Sequence, residues 1–197
     1  MLASITPLGE RSRNSRWATT MAAFTAGSIL AGAAWGTAAG LIGAPLARWV
    51  PGSIRVWSLV GLVAAGLLFD LGIIGRRLPG PRRQVNEQWL QRYRGWVYGL
   101  GFGAQLGAGL VTIVSTSAVY ATVAAASLTG SPGWGAAVGI TFGLVRAFAL
   151  VPASRIKRPG DLVVLDALLR RWDRPARVAS TVVLLGLIVV AAAWAVL

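Results

Sequence analysis

The chain reads as an all-α integral membrane protein, a polytopic bundle of transmembrane helices. Three observations predict this. Its 197 residues are 55% hydrophobic and only 13% charged, a balance that soluble domains rarely show. The apolar residues gather into five runs, each near or above the ~20 residues that cross a bilayer as a helix. The 19 basic side chains, against 6 acidic ones, fall between alternate runs. The whole chain, 1–197, is accordingly expected to be a single membrane domain with the lipid bilayer as its first partner.

The runs lie at 18–46, 54–75, 95–128, 132–153 and 178–197. The third is overlong: it is tilted, extends beyond the membrane, or breaks at its glycines. Basic residues then orient the spans. Arg11, Arg13 and Arg16 precede the first. Arg76, Arg77, Arg82, Arg83, Arg92 and Arg94 fall between the second and third, in a loop at 77–94 and its margins. Arg155, Lys157, Arg158, Arg170, Arg171, Arg174 and Arg177 fall between the fourth and fifth. The alternate segments hold Arg48 and Arg55. The positive-inside rule places the basic loops in the cytoplasm and the C-terminus outside, in a bacterial inner membrane. Arginine outnumbers lysine 18 to 1, the composition of a GC-rich genome. The net charge of +13 is distributed as loop charge, without a basic helix or aromatic-basic surface, and excludes nucleic acid as a partner.

Residues 1–10 lack the apolar core of a secretory signal. The segment 161–172 reads as a short amphipathic helix capped by Asp161, with Leu162, Leu165, Leu169 and Trp172 on one face. It lies along the cytoplasmic interface or packs as a helical hairpin under the bundle. Trp17, Trp49, Trp57, Trp89, Trp96, Trp134 and Trp172 fall near span ends, as an aromatic belt does. Pro45, Pro51, Pro79, Pro81, Pro132, Pro152, Pro159 and Pro175 read as turn punctuation.

Glycines organise the rest. Ser28, Gly32, Gly36 and Gly40 recur every four residues in the first span, and Gly135, Gly139 and Gly143 in the fourth. Such ladders put small residues on one helix face and let backbones approach, either within the chain or against a membrane-protein partner or a second copy. Each ladder has a similar setting. The chain thus divides into a first repeat, 1–76, lacking its opening helix, and an inverted second repeat, 95–197.

With that layout the chain resembles the thiol–disulfide membrane transporters of the DsbD and CcdA type, within the LysE-like superfamily. Ser4-Ile5-Thr6-Pro7-Leu8-Gly9 resembles the end of that family's first motif. Gly101-Phe102-Gly103-Ala104-Gln105-Leu106-Gly107 resembles the second, with Gln105 where a cysteine belongs. The resemblance implies five spanning helices in incomplete inverted three-helix repeats. The absent first helix reflects truncation, a misplaced start or real loss. The chain has no cysteine and no histidine, so the family's redox chemistry is not carried over, and no metal or cofactor is expected.

The candidate substrate path follows from the polar residues of the third run. Gln105, Thr112, Thr116 and Tyr120 fall near one helical face, with Gly103, Gly107 and Gly109 around them. This seam lines a path or bonds neighbouring helices. Asp70 and Arg146 are charges inside spans at matching depth, where a charge costs about 2.5–3.5 kcal/mol or more unless paired or hydrated. They either form an ion pair, as gate or clamp, or reach the interface separately. The leading function is transport of a small solute or ion. The alternatives are a non-catalytic membrane subunit packing against a partner, or an accessory component of a thiol-redox or cytochrome c biogenesis system. An enzyme is disfavoured: no nucleophile–base constellation is visible.

Overall fold

The computed structural model describes residues 5–73, 89–109 and 117–196, and among these the regular structure is helical throughout. In chain order the elements are α1 (Pro7–Ser12), α2 (Trp17–Trp49), α3 (Gly52–Asp70), α4 (Trp89–Arg92), α5 (Gly95–Gly107), α6 (Ala118–Leu128), α7 (Pro132–Phe148), a 3-10 turn (Val151–Arg155) and α8 (Pro159–Val196). Most of the loop expected at 77–94, including Arg77, Arg82 and Arg83, lies outside the described residues.

The longest apolar contact surface belongs to α2, whose 33 residues pack against α5, α6 and α7. The reason is side-chain size. Helix α7 runs antiparallel to α2, so that Gly135, Gly139 and Gly143 lie against Gly36, Gly32 and Ser28. A Cβ at Gly139 would collide with the carbonyl oxygen of Gly32, and one at Gly32 with that of Gly139. Helix α5 runs parallel to α2 along the earlier part of the same row of residues, with Gly99, Gly103 and Gly107 against the backbone of Thr20, Phe24 and Ser28. Ser28 serves both contacts: its hydroxyl donates to the Gly143 carbonyl at 2.8 Å. A helical glycine costs about 1 kcal/mol relative to alanine in water. Here it permits backbone contact that no larger residue allows. The two ladders therefore meet each other inside one chain, the first of the arrangements their spacing allows.

Among the described residues, four helices are long and apolar enough to cross a membrane: Trp17–Trp49, Gly52–Asp70, Pro132–Arg155 and Arg174–Ala193. The stretch 95–128 is not a single helix. It contains α5, of 13 residues, and α6, of 11, both rising in the same direction along α2. Each is shorter than the ~20 residues of a full crossing.

Helix α8 also departs from expectation. The segment 161–172 is not a separate interfacial helix but the first part of a continuous 38-residue helix. At ~1.5 Å per residue this is roughly 57 Å long, against ~30 Å of hydrocarbon, so its polar first third projects beyond any span. Pro175 and Pro45 sit inside α8 and α2 rather than in turns, each removing one backbone donor from its helix. Asp161 is not the cap but the third residue of α8, its carboxylate reaching back to accept from the backbone N–H groups of Lys157 and Arg158 at 2.8 and 2.9 Å. Those two bonds hold its carboxyl below the usual carboxylate range. Helix α8 packs on α3 through Val63, Leu67 and Leu184, and much of its remaining apolar surface is exposed, as a lipid-facing helix requires.

Candidate functional site

Polar groups stand at the end of α5 and at the start of α6. Helix α5 ends at Gly107, whose carbonyl accepts from the Trp35 indole N–H at 2.9 Å. Gly109 then turns with φ +66°, a left-handed conformation suited to glycine, against the Phe142 ring. Phe142 stands edge-on to Trp35, with ring centroids 5.8 Å apart. Helix α6 starts after Ser117, where the Asp70 carboxylate accepts from the Ser117 N–H at 3.0 and 3.1 Å and from its hydroxyl at 2.7 Å. An acid of α3 thus closes the start of α6, where the free N–H groups and the helix dipole favour negative charge.

The expected pairing of Asp70 with Arg146 does not form. Asp70 is satisfied by Ser117, and the Arg146 guanidinium lies over the Phe142 ring, 5.2 Å from its centroid. One of its nitrogens, Nη1, is buried without a hydrogen-bond partner among the described residues. A helix dipole and an aromatic face supply their partners instead.

Of the candidate path residues, the structure describes Gly103, Gln105, Gly107, Gly109 and Tyr120. Gly103 and Gly107 are buried against α2. Gln105 stands two residues on, roughly 200° around the helix at ~100° per residue, and is half-buried away from that contact. Tyr120 is half-buried on α6, and Thr112 and Thr116 lie outside the described residues.

A second polar cluster, not singled out from the sequence, closes one end of the bundle. Glu10 is 0% exposed. Thr20 donates to its carboxylate at 2.6 Å, Arg13 at 2.8 Å, and the Tyr98 hydroxyl through a short hydrogen bond. A buried carboxylate is costly unless paired and hydrogen-bonded, and here it is both. Gly95 makes room for it: a Cβ there would crowd Ser15 and Thr20 and lie 3.3 Å from Glu10 Oε2. The Arg13 guanidinium lies 5.7 Å from the Tyr98 ring centroid. Burial opposes its charge, but the bonds and charges of Glu10 and Tyr98 outweigh this and push its pKa above the ordinary arginine value. Beneath lies an apolar cluster of Ile5, Phe24, Leu90, Tyr98, Phe102, Ala147 and Leu150. The Leu8 N–H donates to the Ile156 carbonyl at 3.2 Å. This end therefore gathers the basic N-terminal segment, the start of α5 and the turn before α8. The signal available in the sequence was an acid three residues before Arg13 inside a basic cluster, a spacing that puts both on one helix face.

Among the described residues no group of three or more acids could hold a metal. No protein-family model matches the chain, and no solved structure matches it. Two curated relatives do. The methylamine utilization protein MauF of Methylorubrum extorquens is 32% identical over 167 residues, 83% of this chain and 55% of that protein. The methylamine utilization protein MauF of Methylophilus methylotrophus is 29% identical over 177 residues, 89% of this chain and 61% of that protein. The chain thus spans little more than half the length of these relatives. They correct the family suggested by the motifs around Pro7 and Gln105: the relatives are MauF proteins, not DsbD, CcdA or LysE-type transporters. The glycine spacing that imitates a transporter motif is explained by α5 packing on α2.

Proposed function

We propose that this chain is a non-catalytic, membrane-embedded accessory protein of methylamine utilization. The similarity to two MauF proteins across more than four-fifths of the chain carries this reading. The packing supports it over solute transport, because Gly103 and Gly107 are occupied by the α2 backbone rather than open to a path. The described residues also gather no histidine, cysteine or acidic cluster for chemistry.

In this reading α5 and α6 together make a fifth, discontinuous crossing, and the end holding Glu10 faces the cytoplasm. The convergence there of the segments carrying Arg11, Arg13, Arg16, Arg94 and Arg155 supports that orientation. The protein serves a partner in the membrane or at its surface, and the projecting first third of α8 is available to one. Deletion of the gene tests the assignment by growth with methylamine as sole nitrogen source. Growth should fail and be restored by the gene in trans, while growth on ammonium is unaffected. Undiminished growth on methylamine would overturn the assignment.

A further inference from the structure

At the end of the bundle that holds Glu10, the starts of α2 and α5 border a cleft of about 690 Å³. Arg13, Arg16 and Arg94 line it from separate backbone positions, with Ser15, Tyr93 and Tyr98 between them. None of its described lining residues is acidic. The nearby acid, Glu10, is buried and committed to Arg13, Thr20 and Tyr98. Arg16 and Arg94 are exposed and form no ion pair among the described residues. Two exposed arginines in a concave site lined by no described acid give it a positive field that favours an anion.

We propose that this cleft binds a phosphate group. The two exposed guanidinium groups of Arg16 and Arg94 beside one hollow suit a tetrahedral oxyanion, because each planar fork can donate two parallel hydrogen bonds to it. Arg16 and Arg94 also immediately precede the first turns of α2 and α5, and neither turn is closed by a side-chain cap. The positive ends of both helices therefore reinforce the field of the arginines. Arg13, held in place by Glu10, fixes the wall of the cleft beside them. The volume exceeds that of a bare phosphate and leaves room for its substituent. Trp96 and Tyr93 stand exposed at the rim, where aromatic residues mark the level of lipid headgroups. The phosphate can come from an anionic lipid headgroup or from a soluble phosphate compound.

The full chain, purified in neutral detergent, tests this through its thermal unfolding midpoint. It is titrated separately with phosphatidylglycerol, phosphatidylcholine and inorganic phosphate. A rise with phosphatidylglycerol that exceeds the rise with phosphatidylcholine assigns the source to lipid. A rise with inorganic phosphate assigns it to a soluble compound. In either case Arg16→Gln with Arg94→Gln should weaken the response roughly tenfold or more, as loss of charge-assisted bonds implies. Arg48→Gln, at the far end of α2, should leave it unchanged. Arg16→Lys with Arg94→Lys keeps the charge and guards against a folding defect; it should retain part of the response. No response to either anion, or one that Arg16→Gln with Arg94→Gln leaves intact, would overturn the proposal.

Discussion

Helices α2, α5 and α7 touch through their backbones, whereas α3 and α8 touch through leucine and valine side chains. Glycine is plentiful on both sides of this divide, but it does different work. Gly32, Gly36, Gly139 and Gly143 each face a neighbouring carbonyl with no room for a methyl group. Gly61 in α3 and Gly186 in α8 face nothing within 4 Å among the described residues. In a bilayer, lipid competes with side chains for apolar contact on equal terms. Close fit therefore holds helices together more than burial does. The glycine-faced trio should behave as a rigid unit and the α3–α8 pair as an adaptable one.

The largest expected effect is at the centre of the rigid unit. Gly139→Val forces a branched side chain onto the Gly32 backbone, which cannot yield as a flexible side chain would. Overpacking a core costs about 1–3 kcal/mol where side chains can shift; here the cost should exceed that range and prevent α7 from docking. The measurement is the yield of monodisperse protein after detergent extraction, expected to fall to background. Normal yield would mean that the α2–α7 contact does not hold the bundle together.

Next in size is the lid of the same unit. Glu10→Ala leaves Arg13 without its carboxylate and removes the acceptor for Thr20 and Tyr98. Breaking a buried, hydrogen-bonded ion pair costs about 3–5 kcal/mol. Glu10→Gln, which keeps the shape and part of the bonding, should cost less. Thermal unfolding in detergent separates the two variants, and equal stability of Glu10→Ala and the parent would show that the cluster does not lock this end.

What the sequence made legible follows the same divide. The four-residue spacing of Ser28, Gly32, Gly36 and Gly40, and of Gly135, Gly139 and Gly143, marks helix faces because i and i+4 coincide in azimuth. A helix break within 95–128 was one of the readings its length allowed. Glu10 was not legible, since Thr20 and Tyr98 lie 10 and 88 residues away and only the fold brings them together. The partners of Asp70 and Arg146 were not legible either, because residue counting gives neither which helix lies beside a side chain nor which way it points. Gln105 was grouped with its neighbouring glycines although it points away from their contact. The continuity of α8 was hidden by Pro175, read as a stop; a proline removes one helical bond without ending the helix when the chain beyond it is strongly apolar.

The smallest effect is the sharpest test of the contrast. Gly186→Ala adds a methyl group into open space on α8 and raises helix propensity by up to about 1 kcal/mol, a gain measured in water. Gly61→Ala does the same on α3. Both variants should be neutral or slightly more stable than the parent by thermal unfolding, in direct opposition to Gly139→Val. Because the bare face at Gly186 is bare only within this chain, the same substitution also reports on the cell. If Gly186→Ala is neutral in purified protein yet abolishes growth on methylamine, that glycine is a contact face for another membrane protein. If it is neutral in both settings, α8 meets lipid there, and any partner must reach the chain through the projecting segment before Arg174.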